Sequence, residues 1–330
     1  MKKLIEIKHQ HTRLLKLTYE LGNVCNYKCW YCFPGSNEGT NPFPKASVIK
    51  QNLVDLINYY LDSKIVNQVK LVLIGGEPSY WKDLGEVVEY VSQHTTCEIL
   101  IVTNGSRSID WWEQYSRYFN HISISVHHES VDIDHIISLT KLLGKQNKAS
   151  FFADVLMDHT AWDKCINLVD TLIKVTPRVM VTAKPIHING QMFYDQNQTN
   201  YLRNTVKGWP SFKMLYNHFK KLMNISNTEY IFDNATKIKT KNEHYPILNM
   251  LNQFKGWECS LGVNSLTIDR AGNLTGSCRQ KLFGLDYYFN INDNNFIEKF
   301  NPEIKPVICQ KTLCLCDGET VLSKKKIYEN

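Results

Sequence analysis

Short apolar runs alternate with amphipathic stretches of helical period through the first 183 residues. The apolar runs lie at 17–21, 69–74, 98–102, 122–126, 150–156 and 179–183, and the stretches of helical period lie at 46–61, 84–94, 109–119, 132–143 and 161–175. Alternation of this kind is typical of parallel strands joined by crossover helices. It predicts an α/β fold of six βα units, an incomplete TIM-like (β/α)6 barrel in which the loops after the strands carry the chemistry.

Three Cys residues lie close together after the first of these strands. Cys25, Cys29 and Cys32 have the spacing C-x3-C-x2-C. Thiolates at this spacing can hold three corners of a cubane iron–sulfur cluster and leave the fourth iron open. An open position is where a metal centre does chemistry, whereas a structural site closes every position. Zinc is the alternative, and it would require a fourth close ligand.

A Gly-Gly-Glu-Pro motif ends the second predicted strand. Gly75 and Gly76 let the backbone approach a ligand closely or adopt a positive φ, and the Glu77 carboxylate suits a cationic amine. Pro78 completes the motif. Taken alone, these four residues predict only a tight turn from strand to helix.

The next strand ends carry small polar side chains. Thr103 and Asn104 follow the third predicted strand, and Ser125 lies near the end of the fourth. Hydroxyl and amide groups at such positions can hydrogen-bond ribose hydroxyls or a carboxylate. We therefore expect these side chains to share a pocket with the Cys run.

Four further residues near the strand ends are less specific. His127 stands beside the end of the fourth strand and is expected to face the pocket, whereas His128 and Glu129 fit either the pocket or a solvated loop. Lys184 follows the sixth strand and would either pair with the carboxylate of a ligand or with substrate, or lie on the surface.

A second set of Cys residues lies near the C-terminus. The segment 259–278 predicts a β-hairpin with a strand up to Ile268 and a turn at 269–272, which would bring Cys259 and Cys278 together. The other thiols of this set belong to Cys309, Cys314 and Cys316. Five thiols exceed the four that a fully coordinated cubane requires, so one of them is spare. Zinc remains an alternative at this site.

The two N-terminal motifs, taken in order, resemble those of radical S-adenosylmethionine (SAM) enzymes. In that family the open iron chelates the amino and carboxylate groups of SAM, and one electron from the cluster yields a 5′-deoxyadenosyl radical that takes hydrogen from substrate. The resemblance implies a [4Fe-4S] cluster on Cys25, Cys29 and Cys32. It implies SAM contacts from Gly75, Gly76, Glu77, Pro78, Thr103, Asn104 and Ser125.

The C-terminal segment resembles the opening C-x-x-G…I-x-x-x-G…C element of SPASM and twitch domains. The shorter twitch form, with one auxiliary [4Fe-4S] cluster, implies that four of the five C-terminal Cys are ligands. The chain would then divide into a barrel core at 1–184, a connector and cover segment at 185–255, and a small Cys-rich twitch-like hairpin domain at 256–330. Within the connector, helical period returns at 212–223.

By resemblance, the chain is expected to be an oxidoreductase or maturase that oxidises or crosslinks a peptide or small molecule, with flavodoxin or ferredoxin as electron donor. Two alternatives stay open: a radical SAM enzyme of nucleotide or deazapurine metabolism, and a non-catalytic binding protein stabilised by zinc. The sequence identifies no catalytic acid or base.

The composition limits the class of protein and the cellular compartment that we expect. The chain has 330 residues with 38 basic and 32 acidic side chains, a mild excess that predicts no nucleic-acid partner. It has no apolar stretch of roughly 18 residues and no apolar signal region, so a cytoplasmic protein without a membrane partner is expected. A disulfide scaffold is disfavoured at this length, Cys97 and Cys165 fit buried structural thiols, and Lys324–Lys326 fits a solvated tail.

Overall fold

A computed structural model of the chain describes residues 2–9, 13–146, 150–176, 178–188, 191–208, 228–240, 245–283, 285–314 and 322–327. The strands are β1 (Leu4–His9), β2 (Leu14–Glu20), β3 (Gln68–Ile74), β4 (Glu98–Thr103), β5 (His121–Val126), β6 (Ser150–Met157), β7 (Met180–Pro185), β8 (Val206–Gly208), β9 (Thr228–Phe232), β10 (Lys237–Thr240), β11 (Trp257–Cys259), β12 (Ser265–Ile268), β13 (Leu274–Thr275), β14 (Val307–Ile308) and β15 (Lys324–Lys326). The α-helices are α1 (Ala46–Asp62), α2 (Leu84–His94), α3 (Ile109–Tyr115), α4 (Ile133–Gln146), α5 (Trp162–Val175), α6 (Gln196–Leu202), α7 (Tyr245–Leu248) and α8 (Phe296–Lys299). Short 3-10 turns lie at Pro78–Tyr80, Ser116–Tyr118 and His159–Ala161.

The larger sheet has the strand order β13-β12-β2-β3-β4-β5-β6-β7-β8. Strands β2 to β7 run parallel, and helices α1 to α5 connect them in the predicted order. The α/β prediction and its six parallel strands are therefore confirmed, with ends that differ by a few residues. Because parallel strands share one carboxyl edge, the loops after β2 to β7 meet at the same end of the sheet.

The two faces of this sheet differ in polarity. In β5, Ile122, Ile124 and Val126 are fully buried in the main apolar core, while Ser123 and Ser125 alternate with them on the opposite face. Alternation of period two places every second side chain on the same face. Strand β5 therefore buries its apolar side in the core and carries small polar side chains on the other face of the sheet.

The predicted C-terminal hairpin is confirmed, and it joins the larger sheet. Its strands are β12 and β13, and the turn between them is closed by a 2.8 Å hydrogen bond from the Gly272 amide to the Asp269 carbonyl. Strand β12 pairs in parallel with β2, so that Ile268 lies opposite Tyr19. The hairpin thus stands beside the strand that leads into the first Cys run.

The second sheet has six strands in the order β10-β9-β1-β15-β11-β14. It combines the N-terminal strand, a hairpin from the connector and strands from the C-terminal segment. The prediction of a solvated tail at Lys324–Lys326 is wrong, because this run is strand β15 between β1 and β11. Lys324 is only 3% exposed, and its ammonium group lies 5.0 Å from the centre of the Phe254 ring.

Two further expectations concern a helix in the connector and membrane-spanning helices. The helical period at 212–223 lies outside the described residues. Within the ranges given above, no helix is both long and apolar enough to cross a membrane.

Candidate active site and the Cys-lined cavities

A cavity of about 250 Å³ lies at the carboxyl ends of the parallel strands. It is lined by Cys25, Tyr27, Cys29, Tyr31, Cys32, Asn37, Ile74, Gly75, Gly76, Glu77, Val102, Thr103, Asn104, Ser125, His127 and Leu156. The structure therefore brings the whole Cys run together with all but one of the residues predicted to bind SAM. The exception, Pro78, begins the 3-10 turn that follows the Gly-Gly-Glu segment.

The thiols of this cavity are partly or fully buried. Burial raises the pKa of Cys29 to about 11 and raises the pKa of Cys25 and of Cys32. At Cys32 the positive charge of Arg270 opposes that rise. The three thiols stay protonated near neutral pH, and no fourth Cys lies among the described lining residues. A metal cluster would bind this set of donors by displacing their protons.

His127 lines the same cavity, as expected. Its Nδ1 lies 3.0 Å from the Tyr31 hydroxyl and 3.4 Å from Cys29 Sγ, and its ring stacks on the Tyr31 ring. Burial lowers the pKa of His127 to about 4, so the ring is neutral at pH 7. A neutral imidazole beside a thiol can exchange hydrogen bonds without adding charge.

Trp30, Asp158 and Thr160, which no sequence pattern singled out, fasten the Cys run to the end of β6. The Trp30 indole donates a 2.8 Å hydrogen bond to Asp158, whose carboxylate also lies 3.1 Å from His128 Nε2. The Thr160 amide and hydroxyl donate to the other carboxylate oxygen at 2.8 and 2.7 Å. Burial alone would raise the pKa of Asp158, but these hydrogen bonds lower it below its usual value. His128 therefore faces a buried carboxylate and not a solvated loop.

The Glu77 carboxylate is directed at protein donors. It is buried and accepts hydrogen bonds from the Ser79 amide (3.0 Å) and hydroxyl (2.6 Å), the Thr103 hydroxyl (2.5 Å) and the Asn104 amide (2.6 Å). Burial raises the pKa of Glu77, and these hydrogen bonds oppose the rise. Asn104 in turn donates a 2.8 Å hydrogen bond to Asn26 in the Cys run. Glu77 thus ties strand ends together instead of presenting a free carboxylate to an amine. That the motif contacts a ligand stays a prediction.

The paired glycines are required by chain packing. A Cβ at Gly76 would lie 2.3 Å from the Val24 carbonyl oxygen, and Gly75 has a φ of +154°. The amides of Gly76 and Glu77 donate to the carbonyls of Gly22 and Val24 at 3.0 and 2.8 Å. The close approach that the sequence predicted is therefore made to the segment that leads into Cys25.

An ion pair between a partly exposed lysine and a buried carboxylate lies on the same face of β6 and β7. Lys184 Nζ is 2.8 Å from the Asp154 carboxylate, which also accepts the Ser123 and Thr182 hydroxyls. Leu156, the register partner of Lys184, lines the cavity. Lys184 is thus paired with an acidic group of the protein. The sequence did not lead us to predict a role for Asp154, although it is a single acidic residue in the apolar run 150–156.

Four of the five C-terminal Cys line a second, smaller cavity. Its described lining residues are Cys259, Leu261, Cys278, Gln280, Val307, Cys309, Lys311, Cys314 and Lys324. Cys316 lies outside the described residues. The four thiols therefore face one common space. Across the described parts of the chain, no three His, Cys, Asp or Glu side chains are arranged to hold a single metal ion.

Family comparison agrees with the first of these two sites. Residues 19–152, which include the Cys run and the Gly-Gly-Glu-Pro motif, match the model of the Radical SAM superfamily. Over these residues the chain is therefore similar to the Radical SAM superfamily. Members of that superfamily are enzymes.

Two curated relatives match parts of the chain. A protein named GTPase Obg from Brachyspira hyodysenteriae is 36% identical over 87 residues, which are 25% of this chain and 12% of the relative. A GTP 3′,8-cyclase from Haemophilus ducreyi is 33% identical over 102 residues, which are 30% of this chain and 29% of the relative. This chain therefore spans less than a third of the length of either relative.

A solved structure matches most of the chain. Streptococcus suis SuiB bound to its precursor peptide SuiA superposes with a TM-score of 0.53 at 15% identity, over 87% of this chain and 64% of SuiB. At this identity the likeness shows a shared fold.

Proposed function

We propose that the chain is a radical SAM enzyme that holds a [4Fe-4S] cluster on Cys25, Cys29 and Cys32. The observation that carries the proposal is the cavity that these thiols share with Gly75 to Glu77, Thr103, Asn104 and Ser125, at the carboxyl edge of six parallel strands. We further propose that this sheet is the family's partial (β/α)6 barrel.

The donor set suits the cluster, because three cavity thiols leave one iron without a protein ligand. Cys25, Cys29 and Cys32 would hold the cluster, which would supply the electron for the reductive cleavage of SAM. The chain positions the reaction: Trp30 and Asp158 fix the Cys run, and Glu77 fixes the strand ends. The apolar side chains of Ile74, Val102 and Leu156 would limit the access of water to the reacting groups.

SAM would lie against the predicted strand ends of Gly75, Gly76, Glu77, Thr103, Asn104 and Ser125. Support comes from a second structure of SuiB, bound to S-adenosylmethionine, which matches 87% of this chain with a TM-score of 0.51 at 14% identity. A reduced flavodoxin or ferredoxin is the proposed electron donor.

We propose that the second cavity holds an auxiliary [4Fe-4S] cluster in a twitch-like C-terminal domain. Cys259, Cys278, Cys309 and Cys314 supply four thiols, and two lysines lie among them. A thiolate-bound cluster is an anion, so a buried lysine offsets its charge. This site would be fully coordinated by protein and would serve electron transfer or substrate contact.

The proposed reaction is hydrogen abstraction from a peptide or small molecule, leading to oxidation or crosslinking. The peptide is supported by SuiB, whose matching structure contains a precursor peptide. A nucleotide substrate is the second candidate, because a GTP 3′,8-cyclase matches by sequence. Incubation of the reduced enzyme with SAM and GTP distinguishes the two candidates. GTP consumption coupled to 5′-deoxyadenosine formation favours the nucleotide substrate, and the absence of GTP consumption favours the peptide or small molecule.

Anaerobic reconstitution with iron and sulfide, then reduction with SAM, tests the activity itself. Uptake of about eight irons per chain with release of 5′-deoxyadenosine is expected for two cubanes, and about four would leave only the first. A colourless protein that carries zinc and releases no 5′-deoxyadenosine would instead make it a zinc-stabilised binding protein.

A further inference from the structure

The turn of the C-terminal hairpin reaches the loop that follows the first Cys run. Arg270, in the turn after β12, donates from Nη1 to the Gly35 carbonyl at 2.7 Å and from Nη2 to the Ser36 hydroxyl at 2.6 Å. Its Nε lies 3.5 Å from the Glu20 carboxylate, and the side chain is 19% exposed. One guanidinium therefore joins the hairpin, the end of β2 and the segment just after Cys32.

A second arginine continues this contact toward the other Cys site. Arg279 follows Cys278 in sequence, and its guanidinium lies 2.7 Å from Glu20 and 3.3 Å from Asp269. Its backbone has a φ of +58°, a conformation that non-glycine residues adopt only when the surroundings hold them there. Glu20 is thus shared by two arginines, one beside each Cys site.

We propose that Arg270 is a positioning residue for the first Cys site: it fixes the loop after Cys32 and places a permanent positive charge beside the cluster, while Glu20 partly neutralises that charge. This inference rests on the proposed function, because it concerns the cluster that Cys25, Cys29 and Cys32 would hold. The guanidinium suits the task, since it stays protonated and its fork matches two acceptors at once.

The charges of Arg270 and Glu20 should change the midpoint potential of the cluster in opposite directions. Reduction adds an electron to the cluster, so a nearby positive charge favours the reduced form and a nearby negative charge disfavours it. Loss of the Arg270 charge should therefore lower the midpoint potential, and loss of the Glu20 charge should raise it. A residue that only stabilises the fold would not move the potential in opposite directions for the two substitutions.

The experiment uses the full chain, reconstituted anaerobically, with four variants: Arg270→Ala, Arg270→Lys, Glu20→Gln and the control Arg117→Ala. Arg117 is an exposed arginine between α3 and β5 that contacts Tyr118. The readouts are iron per chain, the midpoint potential of the SAM-responsive cluster by EPR-monitored titration, and the SAM dissociation constant.

We expect Arg270→Ala to shift the reduction equilibrium of that cluster about tenfold toward the oxidised form, about 59 mV for a one-electron couple, and to weaken SAM binding. Arg270→Lys should recover most of the potential but only part of the SAM affinity, because an ammonium group keeps the charge and loses the fork. Glu20→Gln should shift the potential the other way, and Arg117→Ala should match the wild type.

Wild-type potential and SAM affinity in Arg270→Ala, with iron fully loaded, would overturn the inference and leave the proposed function standing. Shifts of the same sign in Arg270→Ala and Glu20→Gln would overturn it too, since they would indicate loop damage and not charge. If the wild-type chain takes up no iron, the inference and the proposed function both fail.

Discussion

The first Cys site and the second are assembled in opposite ways. Cys25, Cys29 and Cys32 come from one short run and line a cavity of about 250 Å³ that continues to the strand ends. Cys259, Cys278, Cys309 and Cys314 come from separate segments and line a smaller cavity with lysines among them. Three thiols beside free space suit a site that receives a ligand, whereas four enclosing thiols suit a site that the protein closes.

The two sites are also held in place by different kinds of hydrogen bond. The first depends on side-chain hydrogen bonds to Asp158 and Glu77, which fasten a loop to strand ends. At the second site, backbone hydrogen bonds hold two of the Cys residues. The Cys309 amide donates to the Trp257 carbonyl at 2.8 Å, and the Cys314 amide donates to the Asn252 carbonyl at 2.9 Å. We therefore expect single substitutions around the first site to affect activity, and substitutions at the second to affect iron content.

The largest effect is expected from Cys29→Ala. It removes one of three ligands from the site that would bind SAM, so 5′-deoxyadenosine formation should fall to background while iron at the second site is retained. Chromatographic assay of 5′-deoxyadenosine and an iron count on the same sample check this. Cys97→Ala, a buried thiol away from both sites, is the matched control. SAM cleavage by Cys29→Ala at the control's rate would contradict the open-site assignment.

Cys278→Ala should have the converse effect. Loss of one of four enclosing ligands should remove about half of the iron and leave SAM cleavage partly intact. The same holds for Cys259→Ala. Iron analysis and the 5′-deoxyadenosine assay on the reconstituted protein provide the test. Full iron in both variants would rule out the auxiliary cluster.

A smaller effect is expected from Glu77→Gln. The substitution replaces one of the two carboxylate oxygens that accept from Ser79, Thr103 and Asn104 with a donor, so one buried donor loses its acceptor. The free energy of unfolding of the protein without metal should fall by about 1–3 kcal/mol, and SAM affinity should fall with it. Chemical denaturation and equilibrium binding measure the two effects. Unchanged stability would show that the carboxylate does not hold the strand ends.

The smallest effect is expected from Asp158→Asn, and it depends on pH. Because the pKa of Asp158 is lower in the folded chain than in the unfolded chain, ionisation stabilises the fold above the unfolded value of about 3.9, and this contribution is lost as pH falls through the folded pKa. Asp158→Asn should be less stable than wild type at pH 7, and the difference should shrink below about pH 4. Thermal unfolding from pH 7 to pH 3 measures it. A constant difference would show that the charge is not responsible.

Local patterns predicted much of this molecule. Strands β2 to β7 follow from apolar periodicity, and the first site follows from a short Cys run with a Gly-Gly turn. The hairpin pattern likewise predicted that Cys259 and Cys278 approach each other. In each case the signal lies within a few tens of residues.

Contacts between distant segments could not be predicted in this way. Strand β15 looks like a polar tail because its partner β1 lies more than 300 positions away, where the His9 amide donates to the Ser323 hydroxyl. Asp158 and Arg270 resemble ordinary turn residues until the fold brings Trp30 and Gly35 to them. The Gly-Gly pair was assigned correctly to close approach, and the structure shows that approach to the segment that leads into Cys25.

The most direct test of the difference between the two sites is EPR spectroscopy of the reduced, reconstituted protein with and without SAM. We expect two cluster signals, of which one changes on SAM addition; that one should be absent from Cys29→Ala and present in Cys278→Ala. Two signals that both ignore SAM, or a SAM response that survives in Cys29→Ala, would contradict the claim that the first site is open and the second closed.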